Sequence, residues 1–412
     1  MALQSKVLII DSPTATGNQS YTGAGFQPKA AVCLTSLADV DGFEVDYRMG
    51  IGVASGSVAE AQRAASIGVD DNVATTVAGR AWRSALALLV NLAGSAVTLE
   101  ATLVSFDADG LTLNWVTVQA TSRRVAILLL GGADLTNAKV LEFAANTATG
   151  NQAVTGVGFQ ADALIFLTAA RIALGYTSNA VFCCGAAKSA TARHALSIAA
   201  ADAATLAANV NALSTQRTDR CLIGINASGE AVDMEADFVS MDVDGFTINW
   251  IDAPPTAMLC AVLALKGGQY AIGASAKPTG AAPVNQDVDI GFPPKAALWA
   301  SWNKIAAATV QADGEGSFGL GDGTAEGTVW GEELDATINT QANHSFVATK
   351  ALRLASSVST INAEADHSFV GNSWRLAWTT NDAVAKEILY FAAGDAAAAA
   401  AGHGRLLTLG VG

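Results

Sequence analysis

Three acidic triplets punctuate the chain: Asp39-Val40-Asp41-Gly42, Asp107-Ala108-Asp109-Gly110 and Asp242-Val243-Asp244-Gly245. Two carboxylates one residue apart, ahead of a glycine, form a fragment of a calcium loop, in which oxygen ligands alternate along a tight turn. A complete EF-hand loop needs a third oxygen ligand before its glycine, a glutamate further on and helices on either side. Those are missing. The segments that follow the second and third triplets, GLTLNW and GFTINW, alternate apolar and polar residues as strands do. Asp-Gly ahead of such a strand reads as a hairpin turn. A calcium ion shared between repeats is the alternative.

Other residue types with chemical potential are fewer. Trp115, Trp250 and Trp378 close similar strands. On an exposed face they would stack on sugars; on the inward face of an alternating strand they are core, which is the expectation here. Asn18, Gln19, Asn151 and Gln152 are candidates for a binding rim. The four histidines, His194, His344, His367 and His403, do not recur at matching positions. Neither a G-x-S-x-G elbow nor an H-E-x-x-H pair is present. The glycine-rich GLGDGTAEG at 319–327 lacks G-K-[ST] and carries two acids, so it repels phosphate and reads as a loop. Carboxylates are numerous enough to contain a glycosidase pair, yet no repeat stands out as its carrier. The expectation is a protein that is not an enzyme, with no catalytic residue, no cofactor and no metal.

Composition narrows the partners. Acids outnumber bases 37 to 23, a net charge of −14 that opposes binding to nucleic acid. Hydrophobic residues make up 51% and charged ones 15%, which excludes a disordered chain. Much of the apolar fraction is alanine and glycine, which suits thin two-layer packing. The five cysteines lack zinc spacing and lie mostly in apolar runs, so free buried thiols and folding in a reducing cytoplasm are expected. The N-terminal MALQSKVLIIDSP lacks the features of a cleaved secretory signal. The longest apolar stretch, SALALLVNLAGSAVTL, contains Asn91 and reads as strands joined by a turn, so no membrane association is expected.

The chemistry is subordinate to repetition. TATGNQSYTGAGFQPK starts at Thr14, TATGNQAVTGVGFQAD at Thr147, and a worn PVNQDVDIGFPPK at Pro283. Phe26, Phe159 and Phe292 recur at intervals of 133. Three units follow, 1–135, 136–270 and 271–412, each of single-domain size and expected to carry its own core. The runs AAVCL, ALIFL and AALWA read as buried strands, and Gly, Asn and Asp mark turns every 8–12 residues. The fold class expected is all-β: three tandem β-sandwich domains of jelly-roll or immunoglobulin-like type in a pseudo-threefold arrangement. The alanine-rich SVAEAQRAAS and AAADAATLAANVNAL suggest a helical turn per unit. Gly23, Gly25 and Phe26 read as a corner, with Phe26 plugging the core and Pro28 starting a strand.

The sentence G-N-Q-x-[VY]-T-G-x-G-F-Q, joined to D-G-[FL]-T-[IL]-N-W and a final apolar strand ending in glycine, resembles domains in virion structural proteins of tailed bacteriophages and gene-transfer particles. In that family such domains serve in head decoration, tails and fibres. The resemblance covers most of the first two units. In the third it is weak, since Asn372-Ser373 stands where the others have Asp-Gly. It implies a virion protein made in the host cytoplasm, most simply a capsid decoration or cement protein whose partner is the major capsid protein. Tail or baseplate proteins as partners, or a receptor-binding carbohydrate module, are the alternatives. One chain would act as a pseudo-trimer.

Overall fold

The computed structural model describes residues 2–91, 96–204, 212–226, 231–307, 309–337, 339–356 and 360–397. The architecture is nearly all β, with antiparallel sheets in sandwich-type packing. In the first unit the strands are β1 (Leu3–Asp11), β2 (Gly17–Thr22), β3 (Pro28–Thr35), β4 (Gly42–Val45), β5 (Tyr47–Ala54), β6 (Gln62–Val69), β7 (Ala78–Arg83), β8 (Ala87–Asn91), β9 (Ala96–Asp107), β10 (Gly110–Thr117) and β11 (Arg124–Gly132). The first of the two alanine-rich segments does not form an α-helix. The first gives a single 3-10 turn at Ala59–Ala61 and then enters β6. The second starts at the end of strand Ala192–Ala200 and finishes in strand Ala212–Arg217; residues 205–211 between them lie outside the described part. Burial decides this. From Gln62 onward both faces of the first segment are covered by protein, so an extended chain with small side chains packs there despite alanine's helical preference. SALALLVNLAGSAVTL contains β8 and the start of β9, while its turn at 92–95 lies outside the described residues.

The larger sheet of the first unit runs β1-β11-β3-β5-β6-β7, and the smaller runs β2-β10-β9-β8. The same two orders recur in the second and third units. Each larger sheet has a seventh strand, and that strand comes from another unit. Strand Gly175–Ser178 of the second unit pairs with β7 of the first. Gln311–Ala312 of the third pairs with Ala212–Arg217 of the second. β4 of the first pairs with Ala342–Val347 of the third. The exchange is therefore cyclic: every unit gives one edge strand and receives one.

Two hydrogen bonds, repeated three times, lock this exchange. The residue after each donated strand has a left-handed backbone: Asp46 at φ 70°, Asn179 at 58° and Asp313 at 69°. Asp and Asn are the non-glycine residues that tolerate this conformation best. There the chain leaves a neighbour's sheet and enters its own. The side-chain oxygen of each accepts the backbone N–H of a second aspartate in its own unit: Asp71 at 2.9 Å, Asp202 at 2.6 Å and Asp335 at 2.9 Å. The carboxylates of those aspartates accept N–H groups from the neighbour that receives the strand: Ala342 at 2.9 Å, Ala78 at 3.0 Å and Ala212 at 3.4 Å.

The expectation of three separate cores is corrected by this geometry. Each sandwich does have an interior, with Cys33, Ile127 and Trp115 in the first unit, Phe166, Val262 and Trp250 in the second, and Trp299, Ile388 and Trp378 in the third. A further core draws on all three units at once, including Val32, Leu128, Leu167, Leu263, Phe318 and Phe391. Successive residues of one strand alternate between the two: Ala126, Leu128 and Leu130 face the shared core, while Val125, Ile127 and Leu129 face the sandwich. That is why these strands read as unbroken apolar runs. Gly52, Gly185 and Gly319 let the two sheets touch, because a β-carbon at any of them would overlap the carbonyl oxygen of Leu86, Cys221 or Ala351.

The clasp gives a graded expectation. Asp202→Ala strands the Ala78 N–H and should cost about 1–2 kcal/mol in denaturant unfolding, whereas Asp335→Ala, whose bond is longer, should cost less. Losses below about 0.5 kcal/mol at both positions would show that the clasp bonds contribute nothing specific.

Candidate functional site

The repeated sentence and the Asp-x-Asp-Gly triplets are two halves of one corner. Asp109 accepts the N–H of Gly25 at 2.5 Å and of Gly23 at 3.2 Å. Asp244 does the same for Gly158 at 2.5 Å and Gly156 at 3.1 Å. Gly25 and Gly158 have φ of 77° and 86°, a region in which a side chain is strained. Asp107 accepts from the hydroxyls of Ser105 and Thr112, and Asp242 from those of Ser240 and Thr247, all at 2.6–2.7 Å. These four carboxylates spend their oxygens on the hairpin and its neighbour, as the turn reading requires. In the third unit Asp289 takes over, accepting the Gly291 N–H at 2.9 Å. The outlying triplet does something else: Asp41 pairs with Arg124 and accepts the Ala348 N–H of the third unit. Phe26 and Phe292 are buried beneath their corners, and Phe159 is half-buried.

The four rim candidates do not converge. Asn18 and Gln19 lie exposed on β2, the edge of the first smaller sheet; Asn151 and Gln152 lie on the equivalent edge of the second. Asn18 and Asn151 face cross-strand partners Asn114 and Asn249. Gln152 is withdrawn from the rim. It accepts the Trp250 indole N–H at 2.7 Å and the Asn146 N–H at 3.0 Å, and donates to the Ala144 carbonyl at 2.8 Å. Gln286 holds Trp378 in the same way at 3.0 Å, and in the first unit the Tyr21 hydroxyl accepts from Trp115 at 3.0 Å. All three tryptophans are buried, so they offer no stacking surface.

The described histidines are structural. His194 Nε2 donates to the Tyr390 carbonyl at 3.1 Å, and His344 Nδ1 lies 2.7 Å from the Asp46 carbonyl. Burial holds both imidazoles down at about 4, so they are neutral near pH 7. His367 donates from Nδ1 to Glu326 at 2.5 Å and accepts the Gly323 N–H on Nε2 at 2.7 Å, which leaves no free nitrogen for proton transfer. His403 lies outside the described residues. The glycine-rich 319–327 segment is a hairpin whose Asp322 binds its own turn and accepts the Val7 N–H of the first unit at 2.7 Å. All five cysteines are free thiols; Cys184 is half-buried and the rest are buried, which pushes their thiols above the usual range.

Two features went unread in the sequence. The first is a buried carboxyl pair. Glu315 is held by Lys304 at 2.8 Å and Asn303 at 3.0 Å, and Glu332 sits opposite it in register. Burial, followed by the charge of Glu315, raises Glu332 far above the usual carboxylate range. The second is a set of exposed aliphatic residues on the loops that lead into the donated strands: Val40 at 58%, Ile172 at 65% and Ile305 at 57% exposure. They lie 132 and 133 residues apart, the repeat period, and that spacing was the available signal. A scan against protein-family models returns no match, and neither does a search of curated proteins.

The corner predicts that Asp244→Ala, by removing the charged acceptor of the Gly158 amide while the Asp244 carbonyl still holds Gly156, costs about 1 kcal/mol, and that a chelator leaves the melting temperature unchanged. A chelator-dependent loss of stability would instead assign these carboxylates to a cation. The carboxyl pair predicts a pH effect. A raised folded-state pKa contributes stability in full below about pH 4.3 and loses it as pH rises. Glu332→Gln removes that loss. The variant should gain on the wild type by up to about 1.4 kcal/mol for each pH unit above that point. A gap that is constant between pH 5 and pH 8 would show that Glu332 ionises normally.

Proposed function

We propose that this chain is a non-enzymatic structural protein of a bacteriophage-type particle, a decoration protein that binds the assembled head through several equivalent contacts. The observation that carries this reading is the cyclic strand exchange. One chain builds three interlocked units without the association entropy that three separate subunits would have to overcome. The same loops that enter the exchange present Val40, Ile172 and Ile305 to solvent, one per unit. A capsid lattice offers its subunits in threes, and three weak linked contacts multiply through effective concentration into tight binding. The resemblance of the GNQ…TGxGF and DG[FL]T[IL]NW sentences to virion domains supports the same reading, as does the carboxylates' commitment to turns.

A tail or baseplate position, where threefold parts meet sixfold rings, uses the same geometry. The Asn18–Asn114 and Asn151–Asn249 pairs, each with one exposed and one half-buried member, are the one observation that favours a carbohydrate-binding module, and the burial of the tryptophans weighs against it. The experiment mixes purified protein with heads lacking it, with tails and with free capsid protein, then pellets each. Binding to expanded heads and not to free capsid protein is expected. Binding to tails alone moves the protein to the tail, and retention on glycans with binding to neither moves it to a receptor role.

A further inference from the structure

The third unit holds a group of reactive side chains that the other two lack. In each unit one backbone bond ties the residue after the first strand to the residue before the last: the Ser12 N–H to the Arg123 carbonyl, Ala145 to Met258, and Lys277 to Lys386. Lys277 thus stands where the other units have serine and alanine, and its side chain is wholly covered. Three residues beyond the buried tryptophan, Asn381 stands where they have Val118 and Ala253. The Lys277 Nζ donates to Asn381 Oδ1 and lies 2.9 Å from Asp382 Oδ1. It also reaches the carbonyls of Asp382 at 2.8 Å and Pro278 at 3.2 Å. The Asn381 amide is held in this orientation, because its Nδ2 donates to the Pro278 carbonyl at 2.9 Å and the Gly280 carbonyl at 2.6 Å. Lys386 holds the other carboxylate oxygen of Asp382 at 2.9 Å. The buried Trp378 ring forms one wall, 5.6 Å from the Lys277 nitrogen.

We propose that Lys277 and Asn381 join in an intramolecular isopeptide bond, with Asp382 as the proton carrier. A covered amine held against a fixed amide is the arrangement in which lysine acts as a nucleophile. The Lys277 ammonium passes a proton to Asp382 Oδ1. The free amine attacks Asn381 Cγ, one bond beyond the oxygen it already contacts, and the new C–N bond forms. Asp382 gives its proton to the Asn381 nitrogen and takes one from the attacking nitrogen. The Cγ–Nδ2 bond breaks, and ammonia leaves as ammonium with the proton that Asp382 holds. In sum an ammonium and a primary amide become a secondary amide and ammonium, Asp382 is unchanged, and no oxidant enters. Burial lowers the Lys277 pKa, which favours the free amine. Burial pushes Asp382 up, but its bonds to Lys386 and Lys277 outweigh this and hold it below the usual range, so it starts as the base. The reaction runs once per chain. It ties the end of strand Gln269–Ala276 to the segment after strand Ser373–Thr380, across 104 residues.

The test is the intact mass of the purified full chain, measured unfolded, followed by a digest. The wild type should fall short of its sequence mass by one ammonia, and the digest should yield a branched peptide joining Lys277 to Asn381. Lys277→Met and Asn381→Ala should each show the full sequence mass. Asp382→Asn should form the bond at least tenfold more slowly. A succinimide at Asn381-Asp382 loses the same mass, but it needs no lysine and opens in mild base. A deficit that persists in Lys277→Met, or that disappears in mild base, therefore overturns the bond. So does a wild-type chain that keeps its full mass after prolonged incubation. A bond that forms as fast in Asp382→Asn overturns the part given to that carboxylate. If the variants do not fold, the wild-type digest decides alone: the branched peptide supports the bond, and separate Lys277 and Asn381 peptides overturn it.

Discussion

The structure depends on one backbone constraint, the left-handed residue at Asp46, Asn179 and Asp313. At each of these points the chain has just completed a strand in another unit's sheet and must turn into its own. A β-branched residue there would be strained, while Asp and Asn tolerate the conformation and bring an acceptor with them. The acceptor is used: it fixes the second aspartate, and that aspartate fixes the neighbour's edge. Edge strands present unpaired backbone groups to any passing chain, and a closed cycle of exchange gives one edge of each larger sheet a partner from within the molecule.

Interlocking then sets the composition. Because each larger sheet is covered on one face by its own smaller sheet and on the other by the neighbouring units, its strands have little room for polar residues or for bulk on both sides. Val, Leu, Ala and Gly fill them. Glycine appears where the sheets touch, at Gly52, Gly185 and Gly319. Ionised groups that enter this interior meet partners, as Arg63 meets Glu142 at 2.6 Å across the seam of the first two units. Where a partner is shared, the proton stays on, as at Glu332.

Much of this was readable from residue order, and the limits have physical causes. Repeats at 133 residues and the alternation in GLTLNW marked the units and their strands because both are local patterns. The Asp-Gly turns were readable for the same reason. That Asp109 reaches back more than eighty residues to the glycine corner was not, because a turn's own chemistry says nothing about which other turn lies against it. The first alanine-rich segment misled because helix propensity is a weak prior that two-sided burial overrides. Gln152 looked like a rim residue, and only the packing of Trp250 beside it shows that it is a partner to an indole. Strand exchange left the faintest trace: Asp46, Asn179 and Asp313 share the repeat spacing but no surrounding motif.

The worn third unit shows which of these features the architecture requires. It lacks the Asp-Gly pair, yet Asp289 on the adjoining strand supplies an acceptor to Gly291. It keeps Gln286 for Trp378, although the residues around both have changed. Its donated strand is reduced to Gln311–Ala312, but the left-handed Asp313 and the bond to Asp335 remain. So the unit has moved the corner's acceptor from the hairpin to the adjoining strand, while the acceptor of the strand exchange stays in place. A ligand site copied three times would drift the other way, losing scaffold tolerance last at the residues that touch the ligand. The repetition here follows the needs of closure. What varies from unit to unit is the outer surface, with the Ser20–Thr112 pair on the first and the Asp287–Arg375 ion pair at the same register on the third. Closure fixes the exchanged strands and their acceptors in all three units and leaves the outer faces free to differ.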